Sequence, residues 1–358
     1  MKIGGVSYRS IWVNDNGWSV HIFDQRKLPW ELDVVELKTP QDAAVAIKEM
    51  WTRGAPLLAM TGAYGLALAL KEDPSDDNLE SSYAMLLATR PTAVNLKWAL
   101  DRMKAEVKSY SGLDRIAAAY ALAGRLCDED VATNEAIGEH GLSLISQAHK
   151  IDTTRPVNIL THCNAGWLAT VDYGTATSPI YRAHDAGIPV HVWVDETRPR
   201  NQGALLTAYE LAEHGVPHTV ICDNAGGLLM REGKVDMCIV GTDRVTRNGD
   251  VCNKIGTYLK ALAAYDNDVP FYVALPLSTF DTGLESGLQI PIEERDQQEV
   301  THIDGLAPDG TLSRVQLTKS QAANPAFDVT PARLITAYIT EKGLREGAHA
   351  LQNLHQAA

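Results

Sequence analysis

The sequence predicts an α/β protein: a small, mainly helical N-terminal domain with short antiparallel strands over residues 1–150, then a Rossmann-like domain with a parallel sheet over residues 151–358. Three observations carry this reading. The chain's 358 residues and 39.0 kDa suffice for two separate cores. From about Thr39 to Gln147 apolar residues recur with a helical period. From about Pro156 the text changes to short apolar, β-branched runs separated by helical segments, the pattern of a parallel sheet covered on both faces.

Element by element, VSYRSIWV and WSVHIFD alternate in polarity around a Gly/Asn turn and read as short strands. Five helical patterns follow: TPQDAAVAIKEMWTRG, PLLAMTGAYGLALAL, PTAVNLKWALDRMKAEVKSY, LDRIAAAYALAGRLCDED and NEAIGEHGLSLISQA. In the third, Leu96, Leu100, Met103 and Val107 fall at spacings of four, three and four, which makes one apolar stripe. Ala55 to Leu70 is the longest weakly polar stretch; at 16 residues, interrupted by Thr61, Gly62 and Tyr64, it reads as a buried helix rather than a membrane span. In the second half, VNILTHC, VHVWVDE, HTVICDN, MCIVGTD and FYVALP alternate with SPIYRAHDAG, GALLTAYELAEHG, AGGLLM and KIGTYLKALAAYDND.

Composition narrows the function. The N-terminus MKIGGVSYRSIWV has no long apolar region or small-residue cleavage site, so a cytoplasmic protein is expected. Five cysteines with no CxxC pair are read as thiols. A net charge of -13 disfavours both nucleic acid and anionic membrane as partners, so an anionic ligand must be held by a local cluster of Arg, Lys and backbone N–H groups. GxxxxGK[ST], HExxH, GxSxG and GxGxxG are missing, which argues against a P-loop enzyme, a zinc protease, an α/β-hydrolase and a dinucleotide-binding dehydrogenase.

Four of the five apolar runs end in, or one residue past, a group capable of chemistry: Cys163, Glu196, Asp223 and Asp243. Ligands of open parallel sheets bind beyond the carboxyl ends of the strands, so these groups are expected along one edge. In THCNAG, a tight turn at Ala165 and Gly166 into a helix would put Cys163 near a helix N-terminus, which favours a thiolate; a half-buried inert cysteine fits the same spacing. A metal site from His162 and Cys163 is disfavoured, because neighbours on a strand point to opposite faces. In GTDRV, Asp243 is a candidate general acid or base if apolar surroundings raise its pKa, and otherwise a cap or turn residue. Asn253 and Lys254 are read as opening the next helix, with the lysine facing an anion or solvent.

ETRPRNQG places Arg198, Arg200 and Gln202 in a loop leading to a helix, a fit to phosphate oxygens or a solvated surface. RGAP ends one helical pattern and opens another with Pro56 in its first turn, leaving N–H groups near Gly54 and Ala55 for an anion. RPTAVNL similarly holds Arg90 extended, through Pro91, just before a helix. Arginines at helix starts in one half and polar strand ends in the other point to an anionic ligand between the domains.

In this order and spacing, RGAP, RPTAVNL, THCNAG, ETRPRNQG, CDNAGG, GTDRVTRNGDVCNKIGT, PIEER and NPAFDVTP resemble the methylthioribose-1-phosphate isomerases, a family shared with the alpha, beta and delta subunits of translation initiation factor 2B. The resemblance covers nearly the whole chain. It implies an aldose–ketose isomerase of methionine salvage, within amino-acid biosynthesis, that converts 5-methylthio-α-D-ribose 1-phosphate to the ribulose 1-phosphate without a metal or organic cofactor. It further implies Cys163 and Asp243 as the catalytic pair, sugar-phosphate contacts at Arg53, Gly54, Ala55, Arg90, Gln202, Asn253 and Lys254, and a homodimer. Two alternatives remain at this level. One is an isomerase of 5-deoxyribose 1-phosphate or ribose 1,5-bisphosphate, which would share the C1 chemistry. The other is a non-catalytic regulatory subunit like those of initiation factor 2B, which need not keep an acid and a thiol.

Overall fold

The structure is a computed structural model that describes residues 1–90, 93–347 and 351–352. The chain opens with a small antiparallel hairpin, β1 (Lys2–Ile3) and β2 (Val6–Ser7). The three-stranded antiparallel sheet of β3 (Ile11–Val13), β4 (Val20–Phe23) and β5 (Val34–Leu37) follows, as the alternation in the first two predicts. Helix α1 (Pro40–Lys48) starts at a capping box in which the Thr39 side chain accepts from Asp42 N–H at 3.1 Å and Asp42 accepts from Thr39 N–H at 2.9 Å. Helix α2 (Ala55–Glu72) is buried from Ala55 to Leu70 and forms the centre of the N-terminal core. Its neighbours are α3 (Asp76–Thr89) and α4 (Val94–Val107), and the α4 stripe of Leu96, Leu100, Met103 and Val107 is wholly buried.

Two departures from the periodic reading occur here. Helix α3 has no counterpart in it, because only Leu79, Ser82 and Leu86 of its 14 residues are buried, too thin a stripe to register as a pattern. The two patterns LDRIAAAYALAGRLCDED and NEAIGEHGLSLISQA form one 40-residue helix, α5 (Gly112–Ile151). The polar residues at the apparent break are buried and satisfied by partners remote in sequence: Asp130 accepts from Val171 N–H at 2.7 Å, and the Ser178 hydroxyl donates to Asn134 O at 2.8 Å.

The second half contains a seven-stranded sheet built from β6 (Val157–Thr161), β7 (Val190–Asp195), β8 (His218–Ile221), β9 (Met237–Val240) and three later strands. After β9 the chain leaves this sheet at β10 (Arg244–Thr246) and β11 (Val251–Lys254), which belong to a separate one, and rejoins it at β12 (Phe271–Ala274). Helices α6 (Ser178–Asp185), α7 (Ala208–His214), α8 (Ala225–Arg231) and α9 (Thr257–Asp266) connect these strands, with a π-helical turn at Gly203–Thr207 leading into α7. Beyond them come β13 (Phe280–Asp281), the short α10 (Gln298–Thr301), the hairpin β14 (His302–Leu306) with β15 (Leu312–Gln316), then β16 (Phe327–Thr330), β17 (Ala337–Thr340) and β18 (Gly343–Arg345).

Strand order in the large sheet is β18-β17-β12-β9-β6-β7-β8, parallel except for β18, so the Rossmann-like expectation holds. From β6 the chain winds outward through β7 and β8, then returns to place β9 on the other side of β6. The β6/β9 boundary is therefore the topological switch point, where the loops beyond the strands diverge and leave a crevice. The smaller sheet, order β13-β10-β11-β16, lies beyond β9 and has no counterpart in the sequence reading. Its β10–β11 hairpin encloses Asn248 and Gly249 between Val/Thr-bearing segments, a turn signal that the reading of this stretch as loop and helix start overlooked. Asn253 and Lys254 accordingly lie on strand β11, and α9 starts only at Thr257.

Helix α5 ends at Ile151, and its second half packs on α6 through glycines. A Cβ at Gly141 would stand 2.4 Å from Pro179 Cγ. No helix among the described residues is long and apolar enough to cross a membrane. Gly141→Val is expected to overpack the α5–α6 contact and lower the unfolding free energy by about 1–3 kcal/mol, read from the urea midpoint.

Candidate active site

The site is built from the turn after β6. Thr161 closes the strand, its hydroxyl donating to Ile239 O of β9 at 2.8 Å. Cys163 then takes a left-handed conformation with φ 67°, unusual for a residue with a side chain. Two threonines hold it there: Cys163 N–H donates to Thr197 Oγ1 at 2.8 Å, and the Thr207 hydroxyl donates to Cys163 O at 2.7 Å. The expected helix start at Ala165 and Gly166 does not occur. Only a short 3-10 turn, Trp167–Ala169, follows, and α6 begins at Ser178.

The turn after Cys163 therefore opens no helix whose dipole would favour a thiolate. Burial pushes the Cys163 thiol above its ordinary range, and the nearby charges of Arg53 and Lys254 act against that rise. Asp243 lies across the switch point, three residues past β9, with its backbone N–H donating to Cys252 O at 3.0 Å. Burial raises its pKa as well, opposed by Lys254, Arg90 and Arg53, so the expected shift toward a protonated acid is present.

The N-terminal half supplies the rest. Gly54 caps α2 with φ 92°, and a side chain there would meet the Ala169 backbone, with its O at 2.4 Å. Only glycine allows this approach of the α2 N-terminus, whose first-turn N–H groups lack helical partners, to the turn after Cys163. Arg53 is buried, and its guanidinium donates to Asn164 Oδ1 and, at 2.7 Å, to Asn164 O. Arg90 ends α3 rather than standing immediately before a helix, and pairs with Glu293 at 3.6 Å; Pro91 and Thr92 lie outside the described residues. From the other half, Gln202 is buried at the start of the π-helical turn, Asn253 Nδ2 donates to Thr257 Oγ1 at 2.9 Å, and Lys254 Nζ donates to Ala326 O at 3.1 Å. Burial lowers the Lys254 pKa, against the pull of Cys163 and Asp243.

The nine residues that the family resemblance implies, Arg53, Gly54, Ala55, Arg90, Cys163, Gln202, Asp243, Asn253 and Lys254, line one cleft of about 70 Å³. Other strand-end groups do not reach it. Asp223 accepts from Thr197 and Arg198 N–H, both at 2.8 Å, and so shapes the loop that holds Cys163. Glu196 is not part of the cleft lining. Nor are the two arginines of ETRPRNQG: Arg200 pairs with Glu299 at 2.8 Å, and Arg198 donates to Val300 O at 2.9 Å.

Sequence reading weighed His162 only as a metal ligand and missed its partners at the wall of the cleft. Both ring nitrogens of buried His162 face oxygens, Asp195 Oδ2 at 2.8 Å and Ile255 O at 2.8 Å, and Lys260 Nζ approaches the same Asp195 oxygen at 3.2 Å. His162, Asp195 and Asp223 are the one grouping among the described residues with metal-ligand proximity, but the Lys260 ammonium stands where a cation would be drawn. Asn164 was visible within THCNAG but carried no chemical signal of its own. Only the tertiary contact reveals it as the partner of Arg53.

The initiation factor 2 subunit family matches residues 51–347. Two relatives called methylthioribose-1-phosphate isomerase are similar over almost the full length: one from Paramagnetospirillum magneticum, 62% identical over 97% of each chain, and one from Acidiphilium cryptum, 63% identical over 96% of this chain and 94% of the relative. The chain belongs to the initiation factor 2 subunit family, among its methylthioribose-1-phosphate isomerases. Solved structures agree with this placement. The 5-methylthioribose 1-phosphate isomerase of Pyrococcus horikoshii OT3 superposes with a TM-score of 0.83 at 38% identity, covering 98% of this chain and 97% of that one. The translation initiation factor eIF-2B subunit delta of A. fulgidus gives 0.78 at 38% identity, covering 94% and 96%.

The electrostatics of this isomerase-family cleft give a direct test. Exposed Cys222 is expected to react first with iodoacetamide, while Cys163 is alkylated slowly until the pH rises above the ordinary thiol range of about 8.5. Since Lys254 opposes the rise in the Cys163 pKa, Lys254→Met should move the pH midpoint of Cys163 alkylation, followed by peptide mass spectrometry, still higher.

Proposed function

We propose that the chain converts 5-methylthio-α-D-ribose 1-phosphate to 5-methylthio-D-ribulose 1-phosphate, as a cytoplasmic homodimer in methionine salvage, with residues 151–358 forming the catalytic domain. The observation that carries this is the meeting of Cys163 and Asp243 across the switch point, in one cleft with Arg53, Arg90, Lys254 and the N-terminus of α2. Those cations and N–H groups suit a phosphate dianion. The pairing of a thiol with an acid is what favours an enzyme over a regulatory subunit.

The substrate's chemistry assigns the roles. A sugar phosphorylated at C1 cannot open spontaneously to an aldehyde, because the C1 oxygen that would become the carbonyl is esterified. Asp243, kept toward its protonated form by burial, donates a proton to the ring oxygen as the bond from C1 to that oxygen breaks. The cation left at C1 receives the hydrogen of C2 with its bonding pair. The C2 hydroxyl then gives its proton to the Asp243 carboxylate, which leaves a ketone at C2, a CH2 group at C1, and the acid regenerated. Cys163, with its thiol pKa raised, shapes and polarises the cleft beside C1 and C2. A proton-transfer route requires the Cys163 thiolate to take the C2 proton, and the same raised pKa disfavours it.

The five cysteines are all free, which fits a reducing compartment. The dimer is supported by Leu228 on α8 and by Leu259 and Tyr265 on α9, which are 58%, 59% and 66% exposed.

Turnover of methylthioribose 1-phosphate with a higher kcat/KM than 5-deoxyribose 1-phosphate or ribose 1,5-bisphosphate is the expected result with purified protein. Preference for the bisphosphate would reverse the substrate assignment, and no activity on any of the three would restore the regulatory reading. In deuterated water, hydride transfer predicts product without deuterium at C1; exchange at that carbon would return the proton abstraction to Cys163. Asp243→Asn should lower kcat by about 10²-fold or more while leaving the fold intact.

A further inference from the structure

The ring of His162 has no part in the mechanism above, although it stands at the wall of the cleft one residue before Cys163. Its side chain is wholly shielded from solvent. Nδ1 lies 2.8 Å from Asp195 Oδ2, at the end of β7, and shares a proton with that carboxyl group, which Lys260 Nζ of α9 approaches at 3.2 Å. Asp223 Oδ1 is farther from Nδ1, at 4.0 Å. Nε2 lies 2.8 Å from Ile255 O. A backbone carbonyl only accepts, so the tautomer is fixed on this side of the ring: Nε2 carries a proton and donates it.

We propose that His162 is a positioning residue for the isomerisation: its Nε2–H bond to Ile255 O ties the turn that carries Cys163 to the turn that carries Lys254. This rests on the reading of Lys254 as a phosphate contact. Each step of the link is a neighbour along the chain or one hydrogen bond. His162 precedes Cys163, Ile255 follows Lys254, and the bond between the two turns spans 93 positions of sequence.

Other contacts of the Lys254 turn run elsewhere. Lys254 Nζ and Ile255 N–H both donate to Ala326 O at 3.1 Å, Gly256 N–H donates to Asp328 Oδ2 at 2.7 Å, and the Thr257 hydroxyl donates to Lys254 O at 2.7 Å. These hold the turn to the small sheet and to the start of α9. The bond from His162 reaches it from the large sheet, where Cys163 stands, and so sets the spacing across the cleft. Gly256 gives the ring its room. A Cβ there would stand 2.9 Å from His162 Cε1 and 3.0 Å from Nε2, and its φ of 103° also favours glycine.

Two amide side chains separate the contacts of the ring. Nδ1 is bonded to Cγ, the atom that bears the amide nitrogen of asparagine, and Nε2 lies one atom farther out, at the reach of the amide of glutamine. Glutamine can therefore keep a donor at Ile255 O, whereas asparagine keeps only the contact with Asp195.

The first readouts need no turnover. In protein labelled selectively with nitrogen-15 histidine, Nε2 of His162 is expected to show a directly bonded proton; a bare Nε2 overturns the proposal. His162→Asn should move the pH midpoint of Cys163 alkylation upward, as Lys254→Met does, and the double variant should move it no further than Lys254→Met alone. His162→Gln should leave that midpoint at its wild-type value. An unmoved midpoint in His162→Asn, additive shifts in the double variant, or equal shifts in the two single variants overturn the proposal; the last marks a packing role. With methylthioribose 1-phosphate, His162→Asn is expected to raise KM about tenfold with a smaller effect on kcat, for about one lost hydrogen bond, and His162→Gln to keep the wild-type KM. No turnover by the wild type overturns the functional reading, while the spectrum and the alkylation still decide the link between the two turns. If His162→Asn does not fold, His162→Gln decides, and a raised KM or a shifted midpoint in it overturns the proposal.

Discussion

The contact between Arg53 and Asn164 joins the two halves of this chain at the cleft, and much of the surrounding structure is arranged around it. The guanidinium comes from the turn between α1 and α2, and the amide and carbonyl that receive it belong to the turn after β6. Both sides need unusual backbone. On one, Gly54 takes φ 92° so that the α2 N-terminus can pass within contact of Ala169; on the other, Cys163 takes φ 67° between two threonine hydrogen bonds. A buried arginine normally finds a carboxylate. Here it meets neutral oxygens, which satisfy its N–H groups without cancelling its charge.

Dryness governs the chemistry of the cleft. Desolvation moves Cys163 and Asp243 toward their neutral forms and Lys254 toward loss of its proton, while the mutual attractions of these groups oppose each shift. The result is a cleft that holds cationic side chains alongside a carboxyl group shifted toward its protonated form. Such an acid is what a locked sugar 1-phosphate requires, since its ring does not open without protonation of the leaving oxygen. The same fold serves relatives named as initiation-factor subunits, so the scaffold alone does not specify a reaction.

A second layer of polar residues supports the first. His162, Asp195 and Lys260 close the space between the ends of β6 and β7 and the start of α9, and Asp223 folds the loop that brings Thr197 to Cys163. Arg198 and Arg200, a pair that reads in the sequence as a fit to phosphate oxygens, are held instead by carbonyls and by Glu299. Charge in a loop is a poor guide to ligand contact, because a folded protein offers partners that the sequence does not display.

Much of the fold was legible because periodicity reports burial directly. The stripe of α4, the buried α2 and the apolar runs of β6, β7, β9 and β12 follow from side-chain spacing alone, and of the four groups named by the strand-end rule Cys163 and Asp243 line the cleft while Glu196 and Asp223 do not. Helix α3, the continuity of α5 and the sheet of β10, β11, β13 and β16 were not legible, since each depends on partners distant in sequence. Glu210 is the extreme case: in GALLTAYELAEHG it reads as an ordinary charge on a surface helix, and it lies under the turn after Cys163 only because Gly166 vacates that space. By itself the sequence determined the α/β architecture, the chemistry-bearing residue types and their positions along the chain. Which charges are buried, which are already paired and which way each turn bends were decided by the tertiary structure, because desolvation and hydrogen-bond satisfaction depend on neighbours that only folding brings together.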